Sequence, residues 1–118
     1  MSEQTTLVQP EAKKGREGER RAWVRYQCSR EASYSSLPTY ERFWATVRDI
    51  SVDGIGLILS TAVEPGTYLI IEMKTTSRPI SLTMLARVTH STPRDEGGWA
   101  VGCELVTKPT EEQLRSLL

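Results

Sequence analysis

Ile80-Ser81-Leu82-Thr83-Met84-Leu85-Ala86-Arg87-Val88 decides the fold class. Ile80, Leu82, Met84, Ala86 and Val88 recur at every second position, with mostly polar residues between them. A period of two is the pattern of a strand with one buried face. Similar segments lie on both sides. After it, Gly97-Gly98 marks a turn, and Trp99, Val101, Cys103 and Leu105 alternate again. Before it, Tyr68 to Met73 reads as a strand entered from the turn Glu64-Pro65-Gly66, where proline fixes φ and glycine is free to make it positive. Ile55, Leu57 and Leu59 alternate with Gly56, Ile58 and Ser60, and Phe43 to Ile50 is rich in aromatic and β-branched types. From about residue 26 onward the chain reads as strands. Short strands at near-regular spacing predict an all-β antiparallel barrel or sandwich.

The two ends read differently. Pro109-Thr110-Glu111-Glu112-Gln113 is a helix start, with Thr110 as N-cap and Gln113 as its reciprocal partner. Glu111 and Glu112 suit the positive end of the helix dipole. Leu114, Leu117 and Leu118 share a face expected to pack on the strands. Residues 1–19 are polar apart from Leu7 and Val8, and are expected to form a flexible tail before a domain over 20–118.

The composition permits one ordinary core: 118 residues, 38% hydrophobic and 25% charged. No apolar run approaches the roughly 18 residues of a membrane helix, and no signal-peptide core is present at the N-terminus, so a cytoplasmic protein is expected. Cys28 and Cys103 lack metal-ligand spacing and are read as reduced, small buried hydrophobes. The formal net charge is zero, which argues against a DNA-coating protein. Yet residues 11–30 hold seven basic side chains against three acidic ones, an excess of four. A local basic stretch on an otherwise acidic chain suits a compact anionic partner.

Two patterns carry the chemistry. One is Arg20-Arg21-Ala22-Trp23-Val24-Arg25, and the other is Asp49-Ile50-Ser51-Val52-Asp53-Gly54, at a turn between two expected strands. Guanidinium groups grip phosphate and the O6/N7 edge of guanine bidentately and stack on base planes. A carboxylate accepts from guanine N1–H and N2–H₂, a serine hydroxyl donates or accepts, and glycine lets a ligand approach the backbone. The set suits a ligand bearing both guanine and phosphate. Taken alone, each pattern has a plainer account. The arginines could be a solvated charged face, and Arg16 with Arg20 repeats their spacing. Asp49, Ser51 and Gly54 could simply cap a hairpin.

Together and in this order, the patterns resemble the PilZ domain family, marked by RxxxR, then [D/N]xSxxG about two dozen residues on, and a glycine in the last strand. Arg21 and Arg25 match the first motif, and Asp49, Ser51 and Gly54 match the second. Gly102 is similar to the late glycine, although Leu105 stands where an aromatic is frequent. The resemblance covers about residues 20–107. It implies a six-stranded antiparallel β-barrel with a short C-terminal helix, and an arginine loop that closes over cyclic di-GMP. By the same carry-over, Arg21 and Arg25 hold phosphates and guanine edges, Asp49 a Watson–Crick edge, Ser51 the base or phosphate, and Gly54 gives room. An arginine before RxxxR, here Arg20, goes in the family with an intercalated dimer, which implies two nucleotides per chain.

The expectation is therefore a non-enzymatic second-messenger receptor that acts through an unknown downstream protein, with no metal or other cofactor. The alternative is a PilZ-like protein-interaction adaptor with little nucleotide binding. A barrel that binds single-stranded nucleic acid would spread its basic residues along a groove, whereas here they precede the barrel. Trp23 reads as an anchor for the arginine segment, Trp44 and Trp99 as core or barrel-rim residues, and Asp53 as part of the turn. His90, the sole histidine, nominally joins Asp49 and Ser51 as a triad, but no nucleophile elbow surrounds the serine.

Overall fold

The computed structural model describes residues 23–39, 41–74 and 81–118. The expected tail over 1–19, as well as Arg20, Arg21 and Ile80, lie outside these residues. The described chain forms β1 (Tyr26–Ser36), β2 (Glu41–Ile50), β3 (Gly54–Leu59), β4 (Tyr68–Lys74), β5 (Ser81–Pro93), β6 (Trp99–Leu105) and α1 (Glu111–Leu117). The strands close into an antiparallel barrel in the order β1-β2-β3-β6-β5-β4, with β4 returning to β1. The expected six-stranded barrel with a short C-terminal helix is thus the observed fold.

Alternation builds the core. Met84, Ala86 and Val88 point inward from β5, Ile55, Leu57 and Leu59 from β3, and Val101, Cys103 and Leu105 from β6. Each large aliphatic side chain so buried contributes about 1.5–3 kcal/mol relative to exposure. Gly66 has φ of 92°, and Thr67 N–H donates to the Glu64 carbonyl at 3.1 Å, closing the turn read from Glu64-Pro65-Gly66. Leu114 and Leu117 of α1 are fully buried against the barrel. The Thr110 hydroxyl accepts from Gln113 N–H at 3.1 Å, and Gln113 Oε1 accepts from Thr110 N–H at 2.9 Å, completing the expected capping box.

Four details differ from the sequence reading. Leu118 does not share the buried face of α1: it is the C-cap residue and is exposed. Trp44 is not a core or rim residue but stands 68% exposed on the outer face of β2, because Ala45 and Val47 take the inward positions. Cys28 is only half-buried, its thiol directed at the Val47 carbonyl 3.6 Å away. The fifth strand runs to Pro93, well past Val88. Its alternation is reset by a bulge: Val88 pairs with Cys103 and His90 with Gly102, leaving Thr89 opposite no residue. A second bulge interrupts β2, where Val47 pairs with Leu57 and Asp49 with Gly56, leaving Arg48 over. An extra residue turns two consecutive side chains to one side of the sheet, and bulges of this kind re-aim side chains beside sites.

Candidate functional site: a groove floored by two glycines

The two bulges face each other across β3 and β6. Register pairs Asp49 with Gly56, Gly56 with Gly102, and Gly102 with His90, so a single row crosses four strands. At inter-strand spacings of about 4.8 Å, the row spans about 14 Å along the sheet. Its two central members have no side chain, and the outer two lean over them. A Cβ added at Gly56 would lie 2.8 Å from Asp49 Oδ1, and one at Gly102 would overlap the imidazole of His90. The result is an outer groove of about 280 Å³ with backbone as its floor, bounded by Arg25, Arg48 and Asp49 at one end and Thr89 and His90 at the other.

The turn before β3 supports the first end. Ser51 N–H donates to the Gly54 carbonyl at 2.8 Å, and Gly54 N–H donates to Ser51 Oγ at 3.2 Å. The Ser51 hydroxyl donates to Asp53 Oδ1 at 2.8 Å. Ser51 is only 1% exposed, so its hydroxyl is engaged inside the turn rather than turned to the groove. Leu105 N–H donates to the Asp53 carbonyl at 2.9 Å and ties the turn to the end of β6.

Arg25 lies just before β1 and crosses to β2. Its guanidinium donates to Asp49 Oδ1 and forms an ion pair with that carboxylate. The same group lies above Gly54, where an added Cβ would be 3.0 Å from Arg25 Nη2 and 3.3 Å from the Cys103 carbonyl. Arg25, 24 positions before Asp49, is therefore brought beside the turn that carries Asp49, Ser51 and Gly54. Next to Arg25, Tyr26 Oη donates to Glu111 Oε1 at 2.8 Å, tying the start of β1 to α1. Burial pushes the Tyr26 phenol above its ordinary value, and Glu111 adds to the shift. Burial also raises the Cys28 thiol, with the Asp49 carboxylate adding to it, and pushes the Cys103 thiol up to about 12. Both thiols therefore stay protonated at neutral pH and are poor nucleophiles.

At the second end, Thr89 Oγ1 donates to the Gly102 carbonyl at 3.0 Å and lies 3.3 Å from His90 Nδ1. His90 and Ser51 do not form a hydrolytic pair, because the Ser51 proton is given to Asp53. Sequence reasoning missed Arg48, Gly56, Thr89 and His90 as groove residues. The signal available was weak: a glycine at an outward position of β3 and the sole histidine near the end of the alternating run. Among the described residues, no group of three or more His, Cys, Asp or Glu side chains could hold a metal ion. Among the same residues, no helix is long and apolar enough to cross a membrane.

A small closed barrel with an arginine–aspartate pair over a glycine-floored outer groove defines a narrow class of domains. A family model described as the PilZ domain matches residues 19–118, and the chain belongs to that family. Its fold is similar to the inhibitor of motility MotI/DgrA of Bacillus subtilis, with TM-score 0.63 and 18% identity over 84% of this chain and 48% of that one. It is similar to the PilZ domain of YcgR from Escherichia coli, solved with c-di-GMP, with TM-score 0.62 and 16% identity over 84% of this chain and 86% of that one. It is also similar to MrkH of K. pneumonia, solved as a c-di-GMP complex, with TM-score 0.57 and 15% identity over 82% of this chain and 48% of that one. The chain thus spans about half the length of MotI/DgrA and MrkH. At such identities the likeness is one of fold. No curated protein matches the chain.

Proposed function

We propose that this PilZ domain is a non-enzymatic, cytoplasmic receptor for cyclic di-GMP. The observation that supports this best is the Arg25–Asp49 pair above Gly54 and Gly56. It sets a planar cation and a carboxylate side by side on bare backbone, which is the chemistry that guanine and phosphate together require. The nucleotide enters by exchanging partners with that pair: Asp49 accepts from a guanine Watson–Crick edge, and Arg25 turns to phosphate or to O6/N7. Gly54 and Gly56 let the base approach the sheet. Ser51 holds the turn that carries Asp49 and Gly54 and supports the base or phosphate through it. Arg21 completes the arginine clamp, the arginine segment changes conformation as it closes, and Arg20 adds the cation that a second nucleotide needs. The signal then passes to a downstream protein.

Calorimetric titration with cyclic di-GMP tests this reading, because it gives affinity and stoichiometry together. Saturable binding supports it. A folded protein that takes up no nucleotide would point to the protein-interaction adaptor instead.

A further inference from the structure

The hydroxyl of Thr89 has one proton, and it is given to the Gly102 carbonyl at 3.0 Å. The same oxygen lies 3.3 Å from His90 Nδ1. With that hydrogen on the Gly102 carbonyl, the tautomer that satisfies both contacts carries its hydrogen on Nδ1, which then donates to Thr89 Oγ1. A neutral imidazole has a single ring hydrogen, and Nε2 is left as a lone-pair acceptor. The bulge at Thr89 makes the relay possible, because neighbours on an unbroken strand point to opposite faces. The ring fills the space above Gly102 and borders the groove at the end remote from Asp49.

We propose that His90 is a specificity residue of the nucleotide groove whose Nε2 accepts a hydrogen bond from the second guanine of the bound dinucleotide, as Asp49 accepts from the first; this rests on the cyclic di-GMP reading above. Among the described residues, the groove then has an acceptor at each end and cations only at the Arg25–Arg48 end. Guanine offers N1–H and N2–H₂ to such acceptors. A phosphate oxygen has no hydrogen to offer, and its lone pairs would meet that of Nε2. His90 therefore directs phosphate toward the arginines and selects for a base with donors at its own end. Thr89 is a positioning residue that acts by fixing the tautomer.

Two measurements test this. In long-range proton–nitrogen NMR of the free protein, well above the ordinary imidazole pKa, Nε2 of His90 is expected to be unprotonated in the wild type and protonated in Thr89→Val. A protonated Nε2 in the wild type overturns the proposal without touching the receptor reading. In calorimetry with cyclic di-GMP, His90→Phe keeps a flat ring but loses the acceptor and is expected to bind about tenfold more weakly, while His90→Gln, which restores an acceptor, stays within about threefold of wild type. Wild-type affinity in His90→Phe, in a series where Asp49→Ala weakens binding at least about tenfold, overturns the role of His90 and leaves the receptor reading standing. No binding by the wild type brings both down.

Discussion

The Arg25 guanidinium is bound to the carboxylate of Asp49, 24 positions along the chain, and the pair covers the first end of the groove. Arg25 is about half exposed, so the contact is partly screened and is worth little as a surface ion pair. It nevertheless occupies the Asp49 oxygen that the proposed function gives to a guanine edge. On that reading the free protein fills part of the groove with a contact weak enough to exchange.

Removing either member should lower affinity for cyclic di-GMP strongly. A lost charge-assisted contact costs about 1.5–3 kcal/mol, or about ten- to a hundred-fold in affinity. Arg25→Ala and Asp49→Ala are each expected in that range by calorimetry, with Arg25→Ala melting close to wild type because its guanidinium is about half exposed. Unchanged affinity in a folded Arg25→Ala protein would remove Arg25 from the site.

Gly56→Ala should act through Asp49. The new Cβ would meet all three carboxyl atoms of Asp49 within 2.8–3.1 Å and push the side chain off the floor. We expect about tenfold weaker nucleotide binding and a conserved fold. Far-ultraviolet circular dichroism checks the fold and calorimetry the affinity. Wild-type affinity would mean that the base does not approach the sheet at β3.

Ser51→Ala should be a stability variant first. It leaves Gly54 N–H without its side-chain acceptor in a buried turn and frees the Asp53 carboxylate. The expected loss is about 1–3 kcal/mol. Urea unfolding measures it, and an unchanged midpoint would show that backbone bonds alone hold the turn.

Alkaline pH should destabilise the barrel through Cys103. Its folded pKa of about 12 lies above that of an ordinary thiol, about 8.5. A raised folded value means that the contribution to stability is complete below the unfolded pKa and is lost progressively as pH rises from there to about 12. The urea midpoint of the wild type should therefore fall with pH above about 9, and more steeply than that of Cys103→Ala. Equal slopes would place the alkaline loss elsewhere, Cys28 and Tyr26 being the other groups among the described residues that burial raises.

Stoichiometry tests the role of Arg20. Two stacked nucleotides bring four phosphate charges, more than one arginine pair balances, and a third guanidinium can stack on a guanine face as well. Titration is expected to give two nucleotides per chain in the wild type and one in Arg20→Leu. One in the wild type, or two in both, would refute it.

The barrel was legible because its inward positions keep a period of two over Met84, Ala86 and Val88 and over Val101, Cys103 and Leu105. The capping box was legible because it depends on residues three apart. Asp49 and Gly54 could be picked out from local spacing, and so could Ser51, although spacing could not say that its hydroxyl faces the turn. The second end of the groove was hidden for a physical reason. Alternation places Thr89 and His90 on opposite faces, and only the cross-strand register, set by pairing with β6, shows the bulge that brings them together. Arg48 was lost in the same way on β2. Trp44 is exposed because the inward positions of β2 belong to Ala45 and Val47, and aromatic character alone does not fix burial.

The strand order has a mechanical consequence. β1-β2-β3 and β4-β5-β6 are two three-stranded meanders, each built from neighbours in the chain, and they meet along two seams, β3–β6 and β1–β4. The groove straddles the first seam: Asp49 and Gly56 belong to one meander, with Arg25 leading into it, and Thr89, His90 and Gly102 to the other. A ligand lying across it would act as a staple between the halves, holding one seam closed while the β1–β4 seam on the other side of the barrel remains as it was.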